Sequence, residues 1–236
     1  MQSRREFAAA SPYSSRMRIL IADDHPLFRG ALAQAVRTVA AGAQIEEVGS
    51  FDAALAELAA YPHTDLVLLD LHMPGSHGLM ALATLRAEYP AVAVAMVSAH
   101  DDVTTVQRAL VHGALGFISK RSSLDELQAA LRTVLAAQTW VPPPLREDLS
   151  SHPPALAERQ LAARLAALSP QQMRVLVLVA DGLLNKQIAD RLGVQERTIK
   201  AHLSAIFERL DVRNRTQASV LLRSLELADP AQRLDP

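Results

Sequence analysis

The chain of 236 residues is half apolar, carries 24 Lys and Arg against 25 Asp and Glu, and contains no cysteine. That length suits two ordinary domains with real cores, and the missing thiols exclude disulfides, thiolate metal centres and cysteine nucleophiles, as expected of a reducing cytosol. The net charge of −1 is unevenly spread: residues 17–138 hold 8 Lys or Arg against 13 Asp or Glu, and residues 169–226 hold 9 against 6, so an acidic module precedes a mildly basic one.

Residues 1–16 read as a disordered extension. Ser3-Arg4-Arg5 resembles a twin-arginine signal, but Ala8-Ala9-Ala10-Ser11-Pro12 stands where an apolar stretch should follow. From 17 to 138, apolar runs near 17–23, 45–49, 65–70, 92–98 and 115–119 alternate with amphipathic stretches near 26–40, 51–60, 78–88, 101–112 and 123–137. Five strand-then-helix units predict a parallel sheet, and the unbroken apolar character of Leu66 to Leu69 and Val92 to Val97 predicts central strands covered on both faces. No apolar run approaches the ~18 residues of a membrane span, so a cytoplasmic protein with no membrane partner is expected.

Pro142-Pro143-Pro144, Ser150-Ser151 and Pro153-Pro154 place a linker at 139–167, with a helix expected over Leu156 to Leu168. Ser169-Pro170-Gln171-Gln172 is a helix start with an N-cap, a Pro at the first turn and a capping-box Gln. Short helices near 170–181, 185–192, 196–210 and 214–227, broken at Gly182, Gly193 and 211–214, predict an all-α helix-turn-helix module over 168–228, leaving 229–236 as a tail.

The chemistry concentrates at strand ends. Asp23 and Asp24 close the first run and Asp70 the third, and in an open parallel sheet the carboxyl ends of the strands form the ligand crevice. Three converging carboxylates repel one another unless a divalent cation such as Mg²⁺, which leaves room for phosphoryl oxygens, joins them. Such a site suits phosphoryl transfer to Asp70, with Lys120 as a fixed cation and Ser98 as a hydroxyl donor to a phosphoryl oxygen. His25, His72, His77 and His100 also fall near the expected crevice, but their spacing matches no zinc pattern.

In the second module Ile199, Leu203, Ile206, Phe207 and Leu210 recur at helical spacing, which leaves Arg197, Lys200, Ala201 and Ser204 on the other side. Long cations beside short side chains are what a helix entering the major groove requires.

Asp23-Asp24, Asp70 with Met73-Pro74-Gly75, Ser98 and Lys120 resemble the receiver domain of bacterial two-component response regulators. Leu168-Ser169-Pro170, Asn185 to Ala189, Arg197 to His202 and Arg215 to Ala218 are similar to the LuxR/NarL-type tetra-helical domain. The resemblance implies a flavodoxin-like, doubly wound α/β receiver over 17–138 followed by the all-α domain. It also implies phosphorylation of Asp70 by a histidine kinase, and Mg²⁺ held by Asp23, Asp24, Asp70 and the backbone carbonyl of His72. Ser98 and Phe117 would switch on phosphorylation, and His72 and His100 would tune the lifetime of the aspartyl phosphate. Lys200, Ala201 and Ser204 would face bases, Lys186, Thr198 and His202 would lie near the DNA backbone, and the last helix would pair two subunits into a homodimer, with RNA polymerase a further partner. Arg121 stands where many receivers have Pro, and Gln195 where a Ser cap is usual. Two other readings use the same residues: a receiver that regulates without phosphorylation, and an aspartyl-phosphate hydrolase, which needs a second Asp where His72 stands.

Overall fold

The computed structural model describes residues 17–226; the expected extension 1–16 and tail 229–236 lie outside the described residues. Ten elements alternate in the N-terminal half: β1 (Arg18–Ala22), α1 (Pro26–Val39), β2 (Gln44–Val48), α2 (Phe51–Ala60), β3 (Leu66–Asp70), α3 (Leu79–Glu88), β4 (Ala93–Ser98), α4 (Val103–Val111), β5 (Gly116–Ser119) and α5 (Leu124–Leu135). The strands form one parallel sheet in the order β2-β1-β3-β4-β5. Strand order reverses between β1 and β3, and a crevice opens beyond their carboxyl ends at such a switch point. Asp23, Asp24 and Asp70 occupy that crevice.

The two-residue period of a strand sorts the core into two layers. Ile19, Ile21, Leu66, Leu68, Val97 and Ile118 face α1 and α5, whereas Leu20, Val67, Leu69, Val94, Met96 and Phe117 face α2, α3 and α4. Side-chain caps start α2 at Ser50, α4 at Asp102 and α5 at Ser123, the last with a full capping box to Glu126.

The partly helical linker expected over 139–167 holds a 3₁₀ turn (Pro143–Leu145) and a further short helix, α6 (Arg146–Ser151), inside its Pro-rich stretch, ahead of the helix expected from Leu156. Trp140, also placed there by sequence, runs against β5: its carbonyl accepts the Phe117 N–H at 2.9 Å. A Cβ on Gly116 would meet that carbonyl at 3.0 Å, so the close approach requires glycine.

Beyond α7 (Leu156–Ala166) come α8 (Pro170–Ala180), α9 (Asn185–Leu192), α10 (Glu196–Leu210) and α11 (Arg215–Arg223). The Ser169 capping box forms with Gln172, Gly193 closes α9 at φ 65°, and Gln195 makes no side-chain cap to α10. The apolar cluster on the α3 and α4 side of the sheet continues without a break into Leu165, Leu168, Met173, Leu176 and Leu225. No helix among the described residues is long and apolar enough to cross a membrane.

Candidate functional site

β1 and β3 deliver two buried carboxylates to the crevice, Asp23 and Asp70. Asp23 Oδ1 accepts the His25 N–H at 2.8 Å, and Asp70 Oδ1 accepts the His72 N–H at 3.3 Å. Lys120, carried in by β5, places Nζ 2.8 Å from both Asp23 Oδ2 and Asp70 Oδ2. Only the bond to Asp70 has hydrogen-bonding geometry, so Asp23 Oδ2 is buried with an ionic neighbour but no hydrogen bond. Burial holds the Asp70 carboxyl above its ordinary range; Lys120 opposes this and the Asp23 charge adds to it. One lysine therefore does not balance the carboxylates.

Ligand atoms of Asp23, Asp24, His25 and Asp70 all lie within 4.8 Å of one another. His25 Nδ1 sits 2.7 Å from Asp24 Oδ1 and 3.4 Å from Lys120 Nζ. The unbonded Asp23 oxygen and the carboxylate-rich donor set fit a hard divalent cation such as Mg²⁺.

Ser98 and Phe117 are both buried. The Ser98 hydroxyl accepts the His100 N–H at 3.0 Å, turned into its own loop. Ser119 Oγ and Arg121 both bond Asp101, which ties that loop to the segment bearing Lys120. Of the four histidines expected near the crevice, His25 enters it, and His72 and His100 meet edge to face with centroids 4.9 Å apart. His77 does not belong there. The β3–α3 loop turns it outward, with Nε2 2.9 Å from Asp181 and Nδ1 3.5 Å from Glu226 of the C-terminal module. Its φ of 48° is left-handed, a conformation costing about 1 kcal/mol without glycine.

On the C-terminal module Ile199, Leu203, Ile206 and Leu210 are buried. Lys186, Arg197, Lys200, Ala201 and Ser204 are exposed, with Thr198 and His202 half-buried at the edge of the same surface. Lys200 pairs with Glu196 at 3.0 Å, a solvated contact of small worth that a competing phosphate would displace.

Besides His77, the modules meet through residues that sequence reasoning did not single out. Arg174 on α8 forms two bonds of 2.8 Å to the Glu88 carboxylate. Glu158 on α7 takes bonds from Arg108 at 3.0 Å and from His112 at 2.8 Å. Burial holds His112 below the usual imidazole range, partly offset by Glu158, whose own carboxyl is lowered by His112 and Arg108 against the cost of burial. No local pattern marks these pairs, because each joins residues tens of positions apart.

The pattern described as "Response regulator receiver domain" matches residues 19–132, and "Bacterial regulatory proteins, luxR family" matches 166–222. The glycerol metabolism activator of Pseudomonas putida is 40% identical over 209 residues, 85% of this chain and 92% of that protein. The nitrate/nitrite response regulator protein NarL of Escherichia coli K12 is 31% identical over 203 residues, 86% and 93% of the two chains. Among solved structures, RcsB from Salmonella enterica serovar Typhimurium, bound to promoter DNA with the phosphomimetic BeF3−, covers 89% of this chain and 98% of its own. Its TM-score is 0.52 at 21% identity, a likeness of fold.

Proposed function

Because this chain belongs to the two-component response regulators that join a receiver domain to a luxR-type DNA-binding domain, we propose that phosphorylation of Asp70 by a partner histidine kinase governs its action as a DNA-binding transcriptional regulator. The observation that carries this reading is the buried Asp70 carboxylate at the end of β3, with Asp23 opposite and Lys120 Nζ 2.8 Å from both. An oxygen of Asp70 would bond to phosphorus as the phosphorus–nitrogen bond of a kinase phosphohistidine breaks, the imidazole leaving with its electron pair and taking up a proton. Mg²⁺ held by Asp23, Asp24, Asp70 and the His72 carbonyl would neutralise phosphoryl charge.

Lys120 would then exchange its carboxylate partners for a phosphoryl oxygen. Ser98 would turn its hydroxyl from His100 to donate to another, and Phe117 would repack in response. Arg197, Lys200, Ala201 and Ser204 would enter the major groove, and Lys186, Thr198 and His202 would flank the phosphates. A second copy would pair along α11, where Val220 is exposed beside Val212 and Leu221. The chain is read as cytoplasmic and as acting on no substrate beyond its own carboxylate, with RNA polymerase downstream. The name of the Pseudomonas relative favours an activating sense.

The test is intact mass and DNA binding with Mg²⁺ and acetyl phosphate, for the wild type and Asp70→Asn. The wild type should gain one phosphoryl group and change its DNA affinity by about tenfold; Asp70→Asn should do neither. An equal response in both proteins removes Asp70 from the switch.

A further inference from the structure

Between the two domains lies a cavity of about 430 Å³. The receiver contributes α2, the β3–α3 loop and α3 to its walls, and the C-terminal domain contributes α8 and α9. Phe51, Leu55, Val177, Leu178 and Leu192 give it an apolar lining, of which Leu55, Val177 and Leu192 are only partly buried. A concave apolar surface of this size at a domain boundary, edged by a few polar groups, has the form of a small-molecule site. Water held against such a lining is favourably displaced by an apolar group.

The charged groups around the lining fall into two classes. Glu88 is committed to Arg174 through two bonds of 2.8 Å, and Asp181 to His77 at 2.9 Å. Asp52 and Arg191 line the same cavity, and among the described residues neither side chain has a hydrogen bond or an ion pair. Asp52 stands in the first turn of α2 and Arg191 in the last turn of α9, where each charge complements its own helix dipole and needs no protein partner. One carboxylate from the receiver and one guanidinium from the DNA-binding domain thus share the cavity uncommitted.

We propose that this cavity binds a free amino acid with an apolar side chain. Its ammonium group pairs with Asp52, its carboxylate takes the guanidinium fork of Arg191, and its side chain displaces water from Leu55, Val177 and Leu192. A simple anion or cation would leave one of the two charges unanswered, and a polar zwitterion would leave the lining wet. The site is separate from the phosphorylation crevice and from the DNA-facing side of α10, and it stands whether or not Asp70 is phosphorylated.

Because both domains supply its walls, an occupied site holds them together. The Leu79 amide is a direct reporter, because a first-turn helix N–H has no acceptor in its own helix and this one bonds the Leu225 carbonyl across the domain boundary at 3.1 Å. Its hydrogen exchange under native conditions measures how often the domains part, and amino acid at ten times its Kd should slow it about tenfold.

The test is isothermal titration of the full chain with L-phenylalanine and L-leucine, beside glycine, beside the same two molecules without the amine (hydrocinnamate, isocaproate) and beside the same two without the carboxylate (phenethylamine, isoamylamine). At least one of the two amino acids should bind once per chain with a Kd below about 1 mM, and glycine and its own partial molecules at least about tenfold more weakly. Asp52→Asn should make that amino acid bind no better than its amine-free partner, and Arg191→Gln no better than its carboxylate-free partner, with denaturant unfolding showing both variants folded. The proposal is overturned if neither amino acid binds, or if a partial molecule matches its parent on the wild type. It is equally overturned if either folded variant keeps the wild-type affinity, or if saturating amino acid leaves Leu79 exchange unchanged, which would place the ligand outside the cavity.

Discussion

The two faces of the receiver sheet are built from the same strands and end differently. On one, Ile21, Leu68 and Ile118 close against α1 and α5 in a cluster confined to the receiver. On the other, Leu20, Leu69 and Phe117 pack against α2, α3 and α4, and that cluster runs on into Leu165, Met173 and Leu225 of the C-terminal half. One face stabilises the domain. The other also carries its contact with the DNA-binding domain, so a change there is felt in both.

The sharpest way to break this contrast is to truncate one wholly buried leucine on each side. Leu68→Ala and Leu165→Ala should each cost about 2–5 kcal/mol in denaturant unfolding. Only Leu165→Ala should also speed Leu79 amide exchange under native conditions; acceleration by both would erase the distinction. Somewhat smaller is the effect expected at the seam between the faces, where Lys120→Met strips the cation from Asp23 and Asp70. A loss of about 3 kcal/mol in thermal unfolding is expected there, with docking unaltered.

Helix caps sharpen the comparison further. Ser123→Ala and Ser169→Ala each remove half of a capping box and should cost about 1 kcal/mol. The first acts on α5 and should leave the interface alone. The second loosens α8, which holds Arg174, and should register in Leu79 exchange as well as in stability.

The weakest perturbation is acid. His112 is held below its ordinary value of 6.5 and Glu158 below 4.5. For both groups the folded, docked chain binds protons less readily than the unfolded one, so their stabilisation is complete above the unfolded values and is lost as pH falls through the folded ones. Leu79 exchange, corrected for its intrinsic pH dependence, should therefore speed up as pH drops from 7.5 toward 5.5, first through His112. His112→Asn should flatten the upper part of that profile; an unchanged profile would show that the His112–Glu158 contact does not support docking.

Much of this molecule was legible in its residues taken in order. Strand and helix succession follows from apolar periodicity, which is a local property, and the Gly193 and Ser169 boundaries follow from backbone and capping chemistry confined to a few positions. The gathering of Asp23, Asp24, Asp70 and Lys120 was also legible, because in a parallel sheet the ends of strands converge whatever the details of packing. The buried and open sides of α10 follow from its 3.6-residue repeat. His77 was not legible: its position after β3 suggested the crevice, and a left-handed backbone turned it toward Asp181 and Glu226. Nor was the helix inside the Pro-rich stretch, nor the run of Trp140 against Gly116. The Glu88–Arg174 fork spans 86 positions, and no repeat or motif connects its ends. Which outer face of a domain meets its neighbour depends on the fit of side chains brought together only after both domains have folded, and that fit is a property of the assembled surface, not of any stretch of chain.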